Sequence, residues 1–179
     1  MNLPNIITLG RLLAVPIIIW LILNNNMNKA FFIFIIGSIS DAIDGSIARA
    51  MKKKTILGSY LDPIADKLLV IAVYLTLSYK NYIPCWLSIT VVLRDLLIIK
   101  SSILLKFFNN NFQIKPLKIS KINTTLQLTY ISWILAYSSF PLIFIWKIDI
   151  ILIVCVTLTT YVSSFKYIKI YYKYLINYE

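Results

Sequence analysis

The sequence predicts an all-α, polytopic membrane protein with about six transmembrane helices. Three observations predict it. Hydrophobic residues make up 59% of the 179, and the mean hydropathy is +0.79; a soluble domain carries about 45–50% apolar residues. Charged residues are 14%, where about 25% is usual. The apolar residues are also gathered into runs close to the roughly 20 that a helix needs to cross a bilayer. One soluble core could not hide this much apolar surface, so the expected solvent is lipid. Residues 1–30 carry neither a basic leading segment nor a small-residue cleavage site, so no cleavable leader is expected. With no internal repeat and no linker, residues 1–179 read as one membrane domain.

The first span is Ile6–Leu23, opened by the helix starters Pro4 and Asn5. Asn24, Asn25 and Asn26 end it. The second, Ala30–Ala50, stops before Lys52, Lys53 and Lys54. The third, Leu61–Ser78, gives way to Lys80 and Asn81. The fourth, Ile83–Phe107, meets Asn109, Asn110 and Asn111. The fifth, Ile122–Phe140, stops at Pro141, and the sixth is Ile148–Ile168. Each break is a residue type that interrupts an apolar helix.

The net charge of +11 raises the question of nucleic acid. No nucleic acid is expected, because the basic residues sit at the ends of apolar runs. With the N-terminus in the cytoplasm, only Lys29, Lys80 and Lys147 fall outside, and Lys67, Arg94 and Lys100 lie within spans. The other basic residues gather inside, as the positive-inside rule asks of six spans with both ends cytoplasmic. The expected location is the inner membrane of a bacterial cell.

There is no histidine, and Glu179 is the only glutamate. Histidine-based zinc sites, Ser-His triads and His acid–base chemistry are therefore excluded. Cys85 and Cys155 lack metal-ligand spacing and read as small buried hydrophobes.

The aspartates carry the chemistry. Asp41 and Asp44 are three apart, and Asp62 and Asp66 four apart, so on helices each pair shares a face. An aspartate at the centre of a membrane helix costs about 2.5–3.5 kcal/mol. Both pairs approach the segment Met51–Tyr60, and a helical hairpin would bring the four together. Four such carboxylates cannot all ionise in low dielectric unless cations join them or some are protonated. Hard oxygen donors select Mg²⁺, Mn²⁺ or Ca²⁺. Gly45, Ala48 and Gly58 each lie four residues from an aspartate and leave clearance. Arg49 and the lysine run add positive charge, so a metal-bound, phosphate-bearing substrate fits. The plainer reading, aspartates paired to Arg49, Lys67 or Arg94 for structure alone, does not account for two spaced pairs with glycine clearance.

Written out, these residues are Asp41-x-x-Asp44-Gly45-x-x-Ala48-Arg49, eight residues, then Gly58-x-x-x-Asp62-x-x-x-Asp66. This resembles the full signature of the CDP-alcohol phosphatidyltransferase family at every specified position. The six-span layout is similar too, so the resemblance covers essentially the whole chain. It implies that Asp41, Asp44, Asp62 and Asp66 bind two divalent cations, Mg²⁺ or Mn²⁺, which hold the pyrophosphate of a CDP-linked lipid. It implies further that Asp66 is the catalytic base for the acceptor hydroxyl. Gly45, Ala48, Arg49 and Gly58 would cradle the cytidine diphosphate. The opening segment Leu3–Arg11 resembles the family's own, with Asn5 and Thr8 one turn apart as nucleotide contacts.

The implied substrates are CDP-diacylglycerol and a glycerol-type, phosphate-bearing acceptor. Asp62-Pro63-Ile64-Ala65-Asp66-Lys67 is similar in style to members that make glycerol-based lipids. Arg94-Asp95 and Lys121-Ile122-Asn123-Thr124 depart from the phosphatidylglycerophosphate synthases and resemble cardiolipin synthases of this type. Phosphatidylglycerol is therefore the favoured acceptor and glycerol 3-phosphate the alternative, with Arg94, Lys118 and Lys121 as acceptor-binding residues under either. Positive-inside anchoring is the competing reading of the lysines. A non-enzymatic carrier of divalent cations is the reading of another class. The bilayer is a partner, and a homodimer is admitted but not required.

Overall fold

The computed structural model describes residues 3–51, 56–108, 117–140 and 146–176. The side chains of residues 3–9, 11, 41–51, 56–66, 101–108, 146, 170–171 and 173–176 are outside that description. The described residues form six helices and no strand: α1 (Leu3–Leu23), α2 (Met27–Met51), α3 (Ile56–Tyr79), α4 (Cys85–Phe108), α5 (Lys118–Ser139) and α6 (Trp146–Ile176). The all-α expectation holds. Among the described residues, one stretch, Lys147–Lys169 in α6, is long and apolar enough to cross a membrane, with mean hydropathy 1.9 over its most apolar window. Shorter apolar stretches are Leu12–Leu23, Met27–Ser40 and Lys67–Tyr79.

The chain divides into two compact units. The first is Met1–Pro84 with Ile131–Phe144, and the second is Cys85–Tyr130 with Ile145–Glu179. In the first, α1 packs against α2 and α3. Its buried residues follow helical spacing: Ile18, Leu21 and Ile22 on α1, Met27, Ala30 and Phe34 on α2, and Leu69, Val70, Val73, Tyr74 and Leu77 on α3. Other large apolar side chains face outward, including Leu13, Trp20, Phe32, Ile36 and Leu75. In water that surface would be a liability; lipid is the solvent it suits.

The asparagine breaks act through backbone geometry. Asn25 and Asn81 take left-handed φ values of 58° and 62°. After α1, the Asn26 N–H donates to Leu21 O at 2.9 Å and the Asn25 N–H to Ile22 O at 3.1 Å. After α3, the Tyr82 N–H donates to Leu77 O at 2.9 Å and the Asn81 N–H to Ser78 O at 2.9 Å. Both are Schellman caps with asparagine at the left-handed position. Lys80 Nζ donates to Asn25 Oδ1 at 3.1 Å, which joins the two caps. The C-terminal ends of α1 and α3 therefore lie together.

In the second unit α4 packs against α6, and the buried positions are largely polar: Arg94 and Asp95 on α4, Ser120, Asn123 and Gln127 on α5, and Thr160 and Ser163 on α6. The cysteines correct the sequence reading. Cys85 is exposed and Cys155 half-buried. Cys85 is the first residue of α4, at its end rather than within its packed length, and Cys155 precedes the buried Val156 rather than sharing its face.

Candidate active site

The signature aspartates sit on two helices that meet. Asp41 and Asp44 belong to α2, Asp62 and Asp66 to α3. A Cβ at Gly37 of α2 would lie 3.9 Å from Leu69 Cδ1 of α3, ordinary van der Waals contact. Gly37 precedes Met51, the end of α2, by 14 residues; Leu69 follows Ile56, the start of α3, by 13. Contact at matched distances from a short connection is the register of an antiparallel hairpin. Asp41 and Asp44 lie four and seven residues from Gly37 toward the connection, and Asp66 and Asp62 lie three and seven residues from Leu69. Both pairs stand one to two turns from the Gly37–Leu69 contact, toward the connection.

Asn5, Thr8, Asp41, Asp44, Gly45, Ala48, Arg49, Gly58, Asp62 and Asp66 lie on described helices, but their side chains are outside the described ones. The loop lysines Lys52, Lys53 and Lys54 lie outside the described residues altogether. The donor set itself fits a hard cation: two spaced aspartate pairs on consecutive helices, with no histidine or cysteine in the motif.

The acceptor residues named from the sequence lie in the second unit. Lys118 and Lys121 are exposed on the first turn of α5. Arg94 differs: it is 1% exposed. Its Nη1 pairs with Asp95 Oδ1. Its Nη2 donates to Ser120 Oγ at 2.6 Å and to Ser163 Oγ at 2.9 Å, and its Nε to Ser163 Oγ at 3.3 Å. One guanidinium thus ties α4, α5 and α6 together. One turn along α5, Asn123 Oδ1 accepts from Thr160 Oγ1 at 3.0 Å and lies 2.7 Å from Thr159 Oγ1.

The sequence reading did not single out Ser120, Thr160 or Ser163. The signal that could have found them is the polar stripe Ser120, Asn123, Gln127 at helical spacing on α5, matched by Thr160 and Ser163 three apart on α6. Small polar residues at helical spacing are a common helix–helix contact in membranes.

Comparison with known proteins identifies the family. The family model for CDP-alcohol phosphatidyltransferase matches residues 1–163, which covers the first unit and all of the second except residues 164–179. The chain is 33% identical to the Rattus norvegicus cardiolipin synthase (CMP-forming), over 93% of this chain and 60% of that protein. It is 34% identical to the chloroplastic CDP-diacylglycerol–glycerol-3-phosphate 3-phosphatidyltransferase 1 of Oryza sativa subsp. japonica, over 74% of this chain and 45% of that protein. It is 30% identical to the CDP-diacylglycerol–glycerol-3-phosphate 3-phosphatidyltransferase of Wigglesworthia glossinidia brevipalpis, over 92% of this chain and 87% of that protein. The chain thus spans 60% and 45% of the lengths of the rat and rice relatives. With the family model matched over residues 1–163 and the eight signature positions filled on one helical hairpin, the chain belongs to the CDP-alcohol phosphatidyltransferase family.

Proposed function

We propose that this chain is an integral membrane enzyme that transfers a phosphatidyl group from CDP-diacylglycerol to a glycerol-type acceptor and releases CMP. The observation that carries this is the complete signature on α2 and α3, with both aspartate pairs one to two turns from the contact between Gly37 and Leu69. Asp41, Asp44, Asp62 and Asp66 would hold two divalent cations, Mg²⁺ or Mn²⁺, whose charge offsets that of the pyrophosphate. Asn5, Thr8, Gly45, Ala48, Arg49 and Gly58 bind the cytidine diphosphate. Asp66 takes the proton of the acceptor hydroxyl. The acceptor oxygen bonds to the β-phosphorus, the bond from that phosphorus to the bridging oxygen breaks, and CMP leaves with that oxygen. A cation carrier would need neither the nucleotide clearance nor Arg49.

Phosphatidylglycerol is the favoured acceptor, which makes the product cardiolipin. Asn123 supports this. It is fully buried and its oxygen faces Thr159 and Thr160, so position 123 offers no cation to a dianionic monoester. The rat relative's name points the same way. The Wigglesworthia relative, matched over most of its length, favours glycerol 3-phosphate as the second reading. Lys118 and Lys121 bind the acceptor phosphate in either case. Radiolabelled CDP-diacylglycerol, supplied to the purified protein with each acceptor in turn, tests this. Cardiolipin and CMP with phosphatidylglycerol are expected. Phosphatidylglycerophosphate instead would reverse the acceptor, and no CMP with either would end the enzymatic reading.

The topology proposed is six spans, both ends cytoplasmic, in a bacterial inner membrane, with the active site facing the cytoplasm. The shared side of the α1 and α3 caps supports it, because alternating spans make those helices end together. A Ser59→Cys variant lacking Cys85 and Cys155 should react with impermeant thiol reagents in inside-out vesicles. Reaction in intact cells would invert the topology.

A further inference from the structure

The first turn of α5 is poorly supported by its own sequence. Leu117 precedes Lys118, so the position that commonly carries Ser, Thr, Asp or Asn has no side chain able to cap the free N–H groups. Lys118 and Lys121 then place two cations at the helix end that already carries positive partial charge. Backbone bonds from Ser120 N and Lys121 N to Leu117 O, at 2.9 and 3.3 Å, begin the helix. What holds the turn from outside is Arg94. Its Nη2 reaches Ser120 at both Oγ and O, at 2.6 and 3.5 Å, while Nη2 and Nε grip Ser163 on α6. Asp95 balances the charge from the same helix. Ser120 stands between the two exposed lysines in sequence, so fixing Ser120 fixes the turn that bears both.

We propose that Arg94 is a positioning residue for the acceptor. It clamps the first turn of α5 to α4 and α6, and thereby sets the spacing of Lys118 and Lys121 without touching the acceptor itself. This rests on the reading of those lysines as acceptor-binding. The planar fork of an arginine is required, because a lysine ammonium cannot address Asp95, Ser120 and Ser163 along three fixed directions. Burial of Arg94 argues against direct contact, since an acceptor phosphate would have to displace Ser120 and Ser163 to reach the guanidinium.

The test is acceptor kinetics on the full chain in detergent micelles or proteoliposomes, with phosphatidylglycerol and glycerol 3-phosphate. Ser120→Ala and Ser163→Ala each remove one hydroxyl from the clamp and leave Arg94 and both lysines in place. Each is expected to raise the acceptor KM about tenfold, the scale of one hydrogen bond to a charged group. The KM for CDP-diacylglycerol and kcat should stay within about twofold. Ser163→Thr keeps a hydroxyl and should restore the acceptor KM, whereas Arg94→Lys should not. If Arg94→Lys raises the acceptor KM while both serine variants leave it unchanged, Arg94 meets the acceptor directly and the clamp is overturned. Lower thermal stability in the serine variants with unchanged KM would make the cluster merely structural and overturn it equally. Lys118→Gln and Lys121→Gln separate the two levels. If neither changes the acceptor KM, the lysine reading itself fails and the clamp has nothing to position. If both raise it while the serine variants do not, only the clamp fails.

Discussion

In the first unit the fully buried positions are Ile18, Ile22, Ala30, Phe34, Val73, Tyr74, Leu77, Ile131 and Leu135, apolar except for the hydroxyl of Tyr74. In the second, Leu87, Val91, Tyr130 and Val156 share that depth with the polar Arg94, Asp95, Asn123, Gln127 and Ser163. Lipid tails are as apolar as leucine, so burying apolar side chains between helices gains little over leaving them in the bilayer. The first unit therefore depends on close fit, as where α1 packs against α2 and α3, and on its helix caps. The second uses directional bonds, which specify a partner helix because an unmade one is costly in hydrocarbon. The difference matches the work proposed for each. An aspartate hairpin needs two helices in register, which van der Waals packing supplies. A lysine-bearing first turn without a cap needs an external anchor, which a buried guanidinium supplies.

The largest expected effect belongs to the hairpin. Excess EDTA should abolish CMP release and Mg²⁺ or Mn²⁺ should restore it, because the four aspartates have no histidine or motif glutamate to take over. Full activity in EDTA would remove the metal role. Next in size is Asp66→Asn, which keeps the shape and loses the proton-accepting oxygen. Turnover should fall by about 10²–10⁴-fold, with CDP-diacylglycerol binding largely kept. Asp41→Asn should weaken both. Four carboxylates around shared cations titrate as a coupled set, so the two variants have to be measured side by side. Near-normal turnover in Asp66→Asn would leave the reaction without a protein base.

A middle-sized effect compares the two cores directly. Arg94→Ala leaves Asp95 buried beside a lost cation, a change that typically costs about 3–5 kcal/mol. Leu77→Ala, at an equally buried position of the first unit, opens a cavity costing about 2–5 kcal/mol. Arg94→Ala combined with Asp95→Leu removes the pair together and should recover part of the loss. Thermal unfolding in detergent reads all three. An Arg94→Ala variant as stable as the parent would show that the polar unit does not depend on its charge pair.

These contrasts also mark what was legible in the sequence. The ends of α1 and α3 were, because Asn25 and Asn81 interrupt apolar runs and tolerate a left-handed backbone. The signature was, because its spacing is local: 26 residues hold all four aspartates. Helix lengths were legible only as far as lipid contact. α6 runs to Ile176, beyond Ile168, and α5 begins at Lys118, before Ile122. An apolar run shows where hydrocarbon ends, while lysine and tyrosine continue a helix well beyond it. The clamp was hidden for another reason. Ser120 and Ser163 are 26 and 69 residues from Arg94, and a serine in a membrane helix carries no sign of its partner.

The smallest effect separates two uses of one residue type. Asn25 serves the first unit through its φ of 58°, whereas Asn123 serves the second through its oxygen. Asn25→Gly and Asn25→Val both lose the bond from Lys80 Nζ, so the difference between them reads the backbone alone. Glycine accepts the left-handed conformation freely, and Asn25→Gly should stay within about 0.5 kcal/mol of the parent, the usual range for a surface change. Valine meets the full steric penalty of about 1–2 kcal/mol, and its branched Cβ leaves it no easier rotamer. At Asn123 the order changes in kind: glycine and valine both take the acceptor from the Thr160 hydroxyl, while Thr159 keeps Cys155 O, so both should destabilise, and Asn123→Asp, which keeps an accepting oxygen, should do so less. Unfolding midpoints for the five variants decide the matter. If Asn25→Val is as stable as Asn25→Gly, the cap does not hold the end of α1, and the first unit depends on side-chain packing alone.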